Sequence, residues 1–392
     1  MGLIRRRTPS VIAQSPGEID AAWIAHALSP PPGVLVADVE IERVGHGIGF
    51  IGDLYRCRIE WQGPVGDTDL PRSVIVKVPA ELDSNRGVGE ALQVYEREIV
   101  AYRDIGSDMG LPMPRHFHSD LDPHPAPWID KVVASLFDRL PVKAVNWIIM
   151  RFIGFSTKSS RRYALVMEDI ADARPPAQAE GGSLEDALAS LDVLARFHAS
   201  NWMSQSAATA SDLIWPLDRT PRVWQASYLR NRDDFVDRFG EVIGADMVAK
   251  LDDVQDRIPQ LLGVLASAPW TLQHGDYRLD NILFRPDGSL VVLDYQLIGR
   301  GRPGWDVAYF VTTALHPQHR EAEEHMLRRY HTALVAAGVK DYSWQMLCSD
   351  VEVSKLVLAH RMVCSADVLN TQMADEPDSF LDLMVQRVVG WI

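Results

Sequence analysis

The chain has 392 residues, of which 53 are acidic and 39 basic, and its formal net charge is −14. This charge argues against a general nucleic-acid binder, because a phosphate backbone attracts positive charge. Hydrophobic residues make up 47% and charged residues 23% of the chain. That composition excludes disordered and fibrous classes, and the length predicts two lobes or domains.

Targeting and redox signals are absent from the sequence pattern. The basic start, MGLIRRRTPSVIAQS, lacks the apolar run of a secretion signal, and no segment has the roughly 18 uninterrupted apolar residues of a membrane span. Cys57, Cys348 and Cys364 share no metal-binding or redox spacing. We therefore expect a cytoplasmic protein with reduced thiols and no stable membrane insertion.

The first third of the chain predicts one helix, a small antiparallel sheet and a second helix. Ser15 as N-cap and Pro16 at the first helical position predict a helix in SPGEIDAAWIAHAL. Three segments with alternating apolar residues predict strands: VLVADVEIERV, DLYRCRIEW and SVIVKVP. The following GEALQVYEREIVAYRDI has helical spacing, with Glu98 and Tyr102 one turn apart on one face.

Glycines are frequent between the first two predicted strands, at Gly45, Gly47, Gly49 and Gly52. Such a run is typical of a hairpin, but it also suits a loop whose backbone N–H groups approach phosphates. Lys77 lies in the middle of SVIVKVP. It is either an outward-facing lysine of an edge strand or a phosphate ligand, and a phosphate ligand would need a carboxylate such as Glu98 to hold it.

The pattern changes from strands to helices near residue 170, after the strand YALVMEDI. We predict an N-terminal lobe of residues 1–170 with an insertion near 123–162, and a C-terminal lobe of residues 171–392. The insertion combines large apolar residues with basic ones. Three interpretations stay open for it: extra elements that pack on the N-terminal lobe or across a dimer interface, a peripheral membrane contact, or an apolar flap that selects a hydrophobic acceptor.

Helices account for most of the second lobe. Ser183 and Asp186 form a capping box for the helix LEDALASLDVLARFHASNWM. His198 lies on the apolar stripe of that helix, and we interpret it as a structural core histidine. Further helices are predicted from His319, Ser343 and Ser379.

A set of polar residues lies between the short apolar segments WTLQ, NILF and LVVLD of the second lobe. Its members are Asp276 and Asn281 in HGDYRLDN, and Asp294 at the end of the next predicted strand. Carboxylate and amide oxygens suit Mg²⁺, which binds a few protein ligands together with substrate phosphates and waters. Asp276 would then be available to meet a hydroxyl group.

The ordered motifs resemble a known family. GHGIGFIG, VIVKVP, Glu98, LVMEDI, HGDYRLDN and LDYQLIGRGRPGWDVAYF are similar to motifs of the aminoglycoside phosphotransferase and choline kinase-like small-molecule kinases, with the ecdysteroid-kinase-like and acyl-CoA-dehydrogenase-associated branches closest. The resemblance implies an α+β, protein-kinase-like fold of two lobes. The N-terminal lobe would carry an antiparallel sheet, and the C-terminal lobe would be mainly helical.

The resemblance also implies roles in the catalytic and metal loops. Asp276 would be the catalytic base, or would orient the hydroxyl, while Asn281 and Asp294 would bind magnesium. Asp306 and His274 would support the catalytic loop.

Nucleotide-binding roles are implied for the first lobe and for the strand that follows the insertion. The four glycines would cover the nucleotide, and Lys77, paired with Glu98, would hold its α and β phosphates. The backbone of Glu168 and Ile170 would bond the adenine. The glycine run departs from the protein-kinase pattern, and Gln296 replaces the glycine that usually ends the magnesium motif.

These features predict an ATP-dependent, Mg²⁺-requiring kinase that transfers the γ-phosphate to a hydroxyl, with GTP left open as the donor. Only twelve positions separate Asp294 from Asp306, so no long activation segment docks a protein substrate and a small-molecule acceptor is favoured. The acceptor stays open between aminoglycoside, choline-like, steroid-like and hydroxyacyl thioester compounds. The alternative function is a non-catalytic nucleotide-binding regulator, and a homodimer is left open.

Overall fold

The structure is a computed structural model that describes residues 12–45, 52–66, 69–80, 83–123, 127–156, 161–175, 181–209, 211–366 and 380–390. Its contacts divide the described chain into two compact units. The first consists of Met1–Tyr95, Arg115–His124 and Ser156–Asp169, and the second of Glu96–Pro114, Pro125–Phe155 and Ile170–Ile392. The boundary at residue 170 stays a prediction, and most of the insertion is grouped with the second unit.

A five-stranded antiparallel sheet forms the first unit. Its strands are β1 Leu35–Val44, β2 Gly52–Gln62, β3 Ser73–Pro79, β4 His116–Leu121 and β5 Tyr163–Glu168. The spatial order is β1-β2-β3-β5-β4. The predicted sheet is confirmed, but the edge-strand interpretation of Lys77 is wrong, because β3 has a partner on each side.

The first α-helix begins later than the sequence pattern predicts. Ser15 precedes only a 3₁₀ turn, Pro16–Glu18, and its side chain makes no capping hydrogen bond. Helix α1 spans Ala21–Leu28, and the side chain of Asp20 accepts the backbone N–H of Trp23 at 2.7 Å. Asp20 is therefore the N-cap of this helix. Trp23 belongs to the buried apolar cluster formed with the sheet.

The remaining helices are α2 Asp83–Ala91, α3 Val94–Val100, α4 Pro127–Phe137, α5 Val142–Ser156, α6 Leu184–Ser200, α7 Gln205–Thr209, α8 Pro221–Ile243, α9 Ala245–Ala266, α10 Gly304–Ala314, α11 Glu323–Ala336, α12 Trp344–Cys364 and α13 Phe380–Gly390. Two predicted helix starts are confirmed by their caps. Ser183 accepts the N–H of Asp186 at 3.1 Å, and Ser343 accepts the N–H of Met346 at 3.2 Å.

Two small sheets in the second unit position the loops that carry the motifs. Their strands are β6 Trp215–Pro216, β7 Thr271–Gln273, β8 Ile282–Phe284, β9 Leu290–Val292 and β10 Gly299–Gly301. β8 and β9 form an antiparallel hairpin, while β10 lies between β6 and β7. The short strands predicted around the polar residues are therefore present.

The insertion forms helices α4 and α5, and both carry exposed apolar side chains. Leu136 is 50% exposed and Trp147 is 66% exposed. Within the described part of the chain, no helix combines the length and the apolar character needed to cross a membrane.

Candidate active site

The loop that follows β7 is held in place by a buried carboxylate. Asp306, on α10, accepts the backbone N–H of His274 at 2.7 Å and that of Gly275 at 2.9 Å. Gly275 has a φ of +85°, and a Cβ at this position would lie 2.2 Å from the carbonyl oxygen of Leu297. No residue but glycine can occupy this turn without a shift of the backbone. Asp306 therefore braces the loop, as the resemblance implies.

His198 completes the support of this loop from helix α6. Its Nε2 lies 3.2 Å from the Asp306 carboxylate, and its Nδ1 lies 2.7 Å from the hydroxyl of Tyr330. Because a carboxylate only accepts, Nε2 donates to Asp306. His198 and Asp306 are fully buried, which confirms the interpretation of His198 as a structural core histidine.

Asp276 is fixed by two neighbours from its own loop. The amide nitrogen of Asn281 donates to the backbone oxygen and to a carboxylate oxygen of Asp276, each at 2.9 Å. Nε of Arg278 lies 3.3 Å from the same carboxylate, and its Nη1 donates to Asp280. The structure therefore presents Asp276 as an oriented carboxylate.

Arg278 is the residue of this loop that the sequence interpretation missed. Its side chain is buried, and burial alone would lower its pKa, but the charges of Asp276 and Asp280 outweigh burial and raise the pKa. Burial in turn raises the pKa of Asp280, and Arg278 offsets part of that rise. An arginine placed between two aspartates in DYRLD was the signal that could have identified this pairing.

The loop that carries Asp294 adjoins the loop that carries Asn281. The N–H of Leu293 donates to the backbone oxygen of Asn281 at 2.7 Å, and Nε2 of His274 lies 2.9 Å from the Leu293 oxygen. Asp294 follows directly, with a φ of +63°. A residue other than glycine rarely adopts this left-handed conformation, and such strain concentrates at functional sites. The hydrogen bonds thus bring the predicted loops together within the second unit.

The chemistry of Asn281 and Asp294 is compatible with a magnesium site. Among the described residues, no group of three or more His, Cys, Asp or Glu side chains could hold a metal ion. The predicted set is of another kind, since it joins one amide oxygen to one carboxylate and would rely on phosphates and waters for the remaining ligands. The Asn281 nitrogen is used by Asp276, and no described residue donates to the Asn281 side-chain oxygen. That oxygen is available to a metal ion.

Gly52 leaves room for the side chain of Lys77 in the first unit. Lys77 lies opposite Leu54 of β2 and Leu165 of β5. A Cβ at Gly52 would lie 3.2 Å from Cε of Lys77 and 3.0 Å from the Val78 oxygen. Because Gly52 has no side chain, the Lys77 side chain can occupy the space beside it.

The nucleotide-binding roles of the glycine segment and of Lys77 stay predictions. Gly45 has a φ of +71°, whereas Gly47 and Gly49 lie outside the described residues. Lys77 belongs to the first unit and Glu98 to the second, so their pairing stays a prediction.

Glu98 is buried on helix α3, and its charge affects the pKa of Tyr102, a tyrosine next to the Asp294 loop. Burial raises the pKa of Tyr102 well above its ordinary value, and the charges of Glu98 and Asp294 raise it further. The ring of Tyr102 meets that of Tyr295 edge to face, with centroids 5.4 Å apart. Within the second unit, the charges of Glu98 and Asp294 thus both raise the pKa of the same tyrosine.

The end of β5 is anchored by a buried carboxylate that the sequence interpretation missed. Asp169 accepts both Nε and Nη2 of Arg56, at 2.8 and 3.0 Å, and Oγ of Ser73 at 2.7 Å. The preceding Glu168 donates its N–H to the oxygen of Arg115 at 2.9 Å. An adenine contact at Glu168 would therefore use the carbonyl oxygen of Glu168.

Ile170 begins the segment that follows β5. It is buried, and its carbonyl oxygen accepts the N–H of Ala173 at 3.3 Å. Its N–H is the group that the predicted adenine contact would use.

Comparison with known proteins finds a similar sequence family and solved structures that resemble this chain. Residues 147–340 match the sequence model of the ecdysteroid kinase-like family. No curated protein sequence matches the chain significantly. A proposed aminoglycoside phosphotransferase of Ralstonia eutropha JMP134 is 14% identical over 95% of both chains, with a TM-score of 0.50. A choline/ethanolamine kinase family protein from Mesorhizobium loti is 13% identical over 89% of this chain and 85% of its own, with a TM-score of 0.45.

Because the sequence identity is only 14%, the likeness to the Ralstonia structure shows the fold alone. The predicted protein-kinase-like fold, with an antiparallel sheet in its N-terminal part and a helical C-terminal part, is confirmed. The match over residues 147–340 confirms the resemblance that the motifs predict, since this part of the chain is similar to the ecdysteroid kinase-like family.

Proposed function

We propose that this protein is an ATP-dependent, Mg²⁺-requiring O-phosphotransferase that acts on a hydroxyl of a small molecule. The observation that carries the proposal is the Asp276 carboxylate, which Asn281 and Arg278 orient on a loop that Asp306 holds through two backbone bonds. Phosphoryl transfer depends mainly on positioning and on stabilisation of charge, so a rigidly held carboxylate is the group it requires.

Asp276 would accept the hydrogen bond of the acceptor hydroxyl and then its proton. Because Asn281 and Arg278 both donate to this carboxylate, its orientation is set before the acceptor arrives. Arg278 would also keep Asp276 and Asp280 from repelling each other, since its guanidinium lies between them.

The nucleotide would be bound by residues of both sequence regions that carry the motifs. Asn281 and Asp294 would hold Mg²⁺, which neutralises phosphate charge when it is bound. Lys77, in the middle strand of the sheet, would bind the phosphates, and Gly52 keeps space for its side chain. The carbonyl of Glu168 and the N–H of Ile170 would bond the adenine.

A non-catalytic nucleotide-binding regulator is the alternative. Loss of Asp276 or of Asp294 would favour it, but both are present, and the loops that carry them are hydrogen-bonded through Asn281. We therefore favour the enzyme.

Thermal-shift and turnover measurements on the purified protein separate the two functions. ATP with Mg²⁺ should raise the melting temperature, and a panel of hydroxylated small molecules should include at least one that stimulates ADP formation. A nucleotide-dependent shift without stimulated ADP formation for any acceptor class would support the regulator. No shift with ATP or GTP would contradict both.

A further inference from the structure

Arg361 is a cation that has no acidic partner in the described part of the second unit. It lies on α12 between two indole rings, 4.5 Å from the centroid of Trp224 and 4.4 Å from that of Trp305. Among the described residues, no carboxylate lies within ion-pair distance of its guanidinium. Burial lowers the pKa of Arg361 to about 10.

Arg97, on α3, is a second cation of this kind. It is buried, its Nε donates to the backbone oxygen of Ile298 at 3.1 Å, and its guanidinium lies 4.7 Å from the centroid of Trp215. No described carboxylate pairs with it. Burial, together with the charges of Arg219 and Arg361, lowers the pKa of Arg97 to about 9. Arg97 and Arg361 are therefore two positive charges that no carboxylate of the described residues neutralises.

Arg361 is connected to the catalytic loop through aromatic residues. The indole N–H of Trp305, on which Arg361 stacks, donates to the backbone oxygen of Gly275 at 3.4 Å. Tyr309 lies one turn along α10, with its ring centroid 6.3 Å from that of Trp305. Burial raises the pKa of the Tyr309 phenol, the charge of Asp276 raises it further, and the charge of Arg361 lowers it. Arg361 thus stacks on the indole that donates a hydrogen bond to Gly275, the residue before the proposed base.

Two other arginines of the second unit, Arg302 and Arg278, do have carboxylate partners. Arg302 pairs with Asp350 at 3.0 Å, and Arg278 pairs with Asp276 and Asp280. A charge taken out of water is unfavourable unless it is paired, so arginines left without a carboxylate favour an external anion. Guanidinium groups suit carboxylate and phosphate, and indole walls suit the apolar body of a small ligand.

We propose that Arg361 and Arg97 bind an anionic group of the acceptor, so that the substrate is a hydroxylated molecule that carries a carboxylate or a phosphate. This proposal rests on the proposed phosphotransferase function, since Asp276 is the group to which the hydroxyl would be presented. The net charge of −14 suggests a cationic acceptor. That charge belongs to the whole chain, whereas Arg361 and Arg97 are two cations for which the described residues provide no carboxylate partner.

Binding without nucleotide tests the proposal independently of turnover. Tryptophan fluorescence of the full chain would be titrated with two matched pairs, 3-hydroxybutyrate against 1,3-butanediol, and glycerol 3-phosphate against glycerol. The anionic member of at least one pair should bind about tenfold or more tightly than its neutral partner. The pair that shows the preference tells whether the anion is a carboxylate or a phosphate. Equal affinities within both pairs would overturn the proposal.

Substitution assigns the preference to the arginines. Arg361→Gln and Arg97→Gln should each reduce the preference by about tenfold, because each removes a charged donor. Both should leave ATP·Mg²⁺ affinity within about threefold. Arg328→Gln is the matched control, since Arg328 stacks on Trp344 at 4.6 Å but pairs with Glu324 at 2.8 Å. It should keep the preference.

The outcomes separate the two proposals. Unchanged preference in both arginine variants, or a loss of ATP affinity in place of anion affinity, would overturn the anion site. If neither variant folds, the titrations of the unmodified protein still decide whether the protein prefers the anionic ligand of a pair. Anion binding that is retained while no hydroxylated compound supports ADP formation would contradict the phosphotransferase and leave the anion site standing.

Discussion

The side-chain nitrogen of Asn281 lies 2.9 Å from a carboxylate oxygen of Asp276. One amide therefore serves both proposed parts of the site, since its nitrogen orients the base and its oxygen is available to a metal ion. Asn281→Asp is expected to impair both, because the new carboxylate would repel Asp276 in place of donating to it. We expect a loss of turnover of at least about tenfold, measured as ADP formation. Asn281→Asp with turnover equal to that of the unmodified protein would contradict this coupling.

Asp276→Asn tests the base itself. The substitution preserves size, so folding and ATP binding should stay nearly intact, while turnover should fall roughly 10²- to 10⁴-fold. The measurements are steady-state kinetics on any acceptor that the unmodified protein uses, and a thermal shift with ATP. Turnover within a few-fold of the parent would remove Asp276 from the mechanism.

Asp294→Ala should abolish the magnesium dependence of nucleotide binding. Asp294 would supply the strongest ligand of the ion, because it is the carboxylate of the proposed pair. Calorimetric titration of ATP with and without Mg²⁺ decides the point. Asp287→Ala is the control, since Asp287 is an exposed aspartate that caps the turn between β8 and β9. If Asp294→Ala kept its affinity and its metal dependence, the assignment would be wrong.

Lys77→Ala should weaken ATP use much more than acceptor binding. Gly52→Ala should have a milder effect of the same kind, because its methyl group would lie 3.2 Å from Cε of Lys77 and displace the side chain. Gly17→Ala is the control, since a Cβ at Gly17 meets no atom within 4 Å. The measurement is the apparent Michaelis constant for each substrate. A loss confined to the acceptor in Lys77→Ala would place this lysine in another pocket.

Local sequence patterns predicted most of the sheet and the site loops correctly. The alternation in SVIVKVP identifies a strand because one of its faces is buried, and that in VLVADVEIERV does so because its apolar residues are partly buried against the core. Strand β4 was missed, since every residue of HFHSDL has intermediate exposure and the segment shows no alternation. Ser15 was mistaken for the cap of α1, although Asp20 also precedes the helix and makes the capping bond.

Contacts between distant segments could not be predicted in this way. Asp169 is one of many aspartates in the sequence, and only the fold brings Arg56 and Ser73 to it. Likewise, Arg361 lies 137 residues from Trp224 and 56 from Trp305, and no local period relates a cation to rings so far away. Motif spacing located the loop of Asp276, whereas the charges around that loop depend on tertiary structure.

Asp169→Ala should destabilise the protein strongly. The Asp169 side chain is 2% exposed, and its removal leaves Arg56 and Ser73 without their acceptor. Breaking a buried ion pair by removal of one partner typically costs about 3–5 kcal/mol. Chemical denaturation measures the change, and Asp172→Ala, at an exposed aspartate three residues later, is the control. Equal stability of the two variants would show that this network contributes nothing.

The apolar face of α5 gives the last prediction. Trp147 is 66% exposed and Met150 53% exposed, whereas Val145 on the same helix is fully buried. Trp147→Ser and Met150→Ser should therefore each change the free energy of unfolding by less than about 0.5 kcal/mol. Val145→Ala should lower it by about 2 kcal/mol, because it removes two buried methyl groups and leaves a cavity. Denaturant titration at two protein concentrations measures all three variants. If Trp147→Ser destabilises the protein as much as Val145→Ala, and more strongly at the higher concentration, this face is covered by a second copy of the chain.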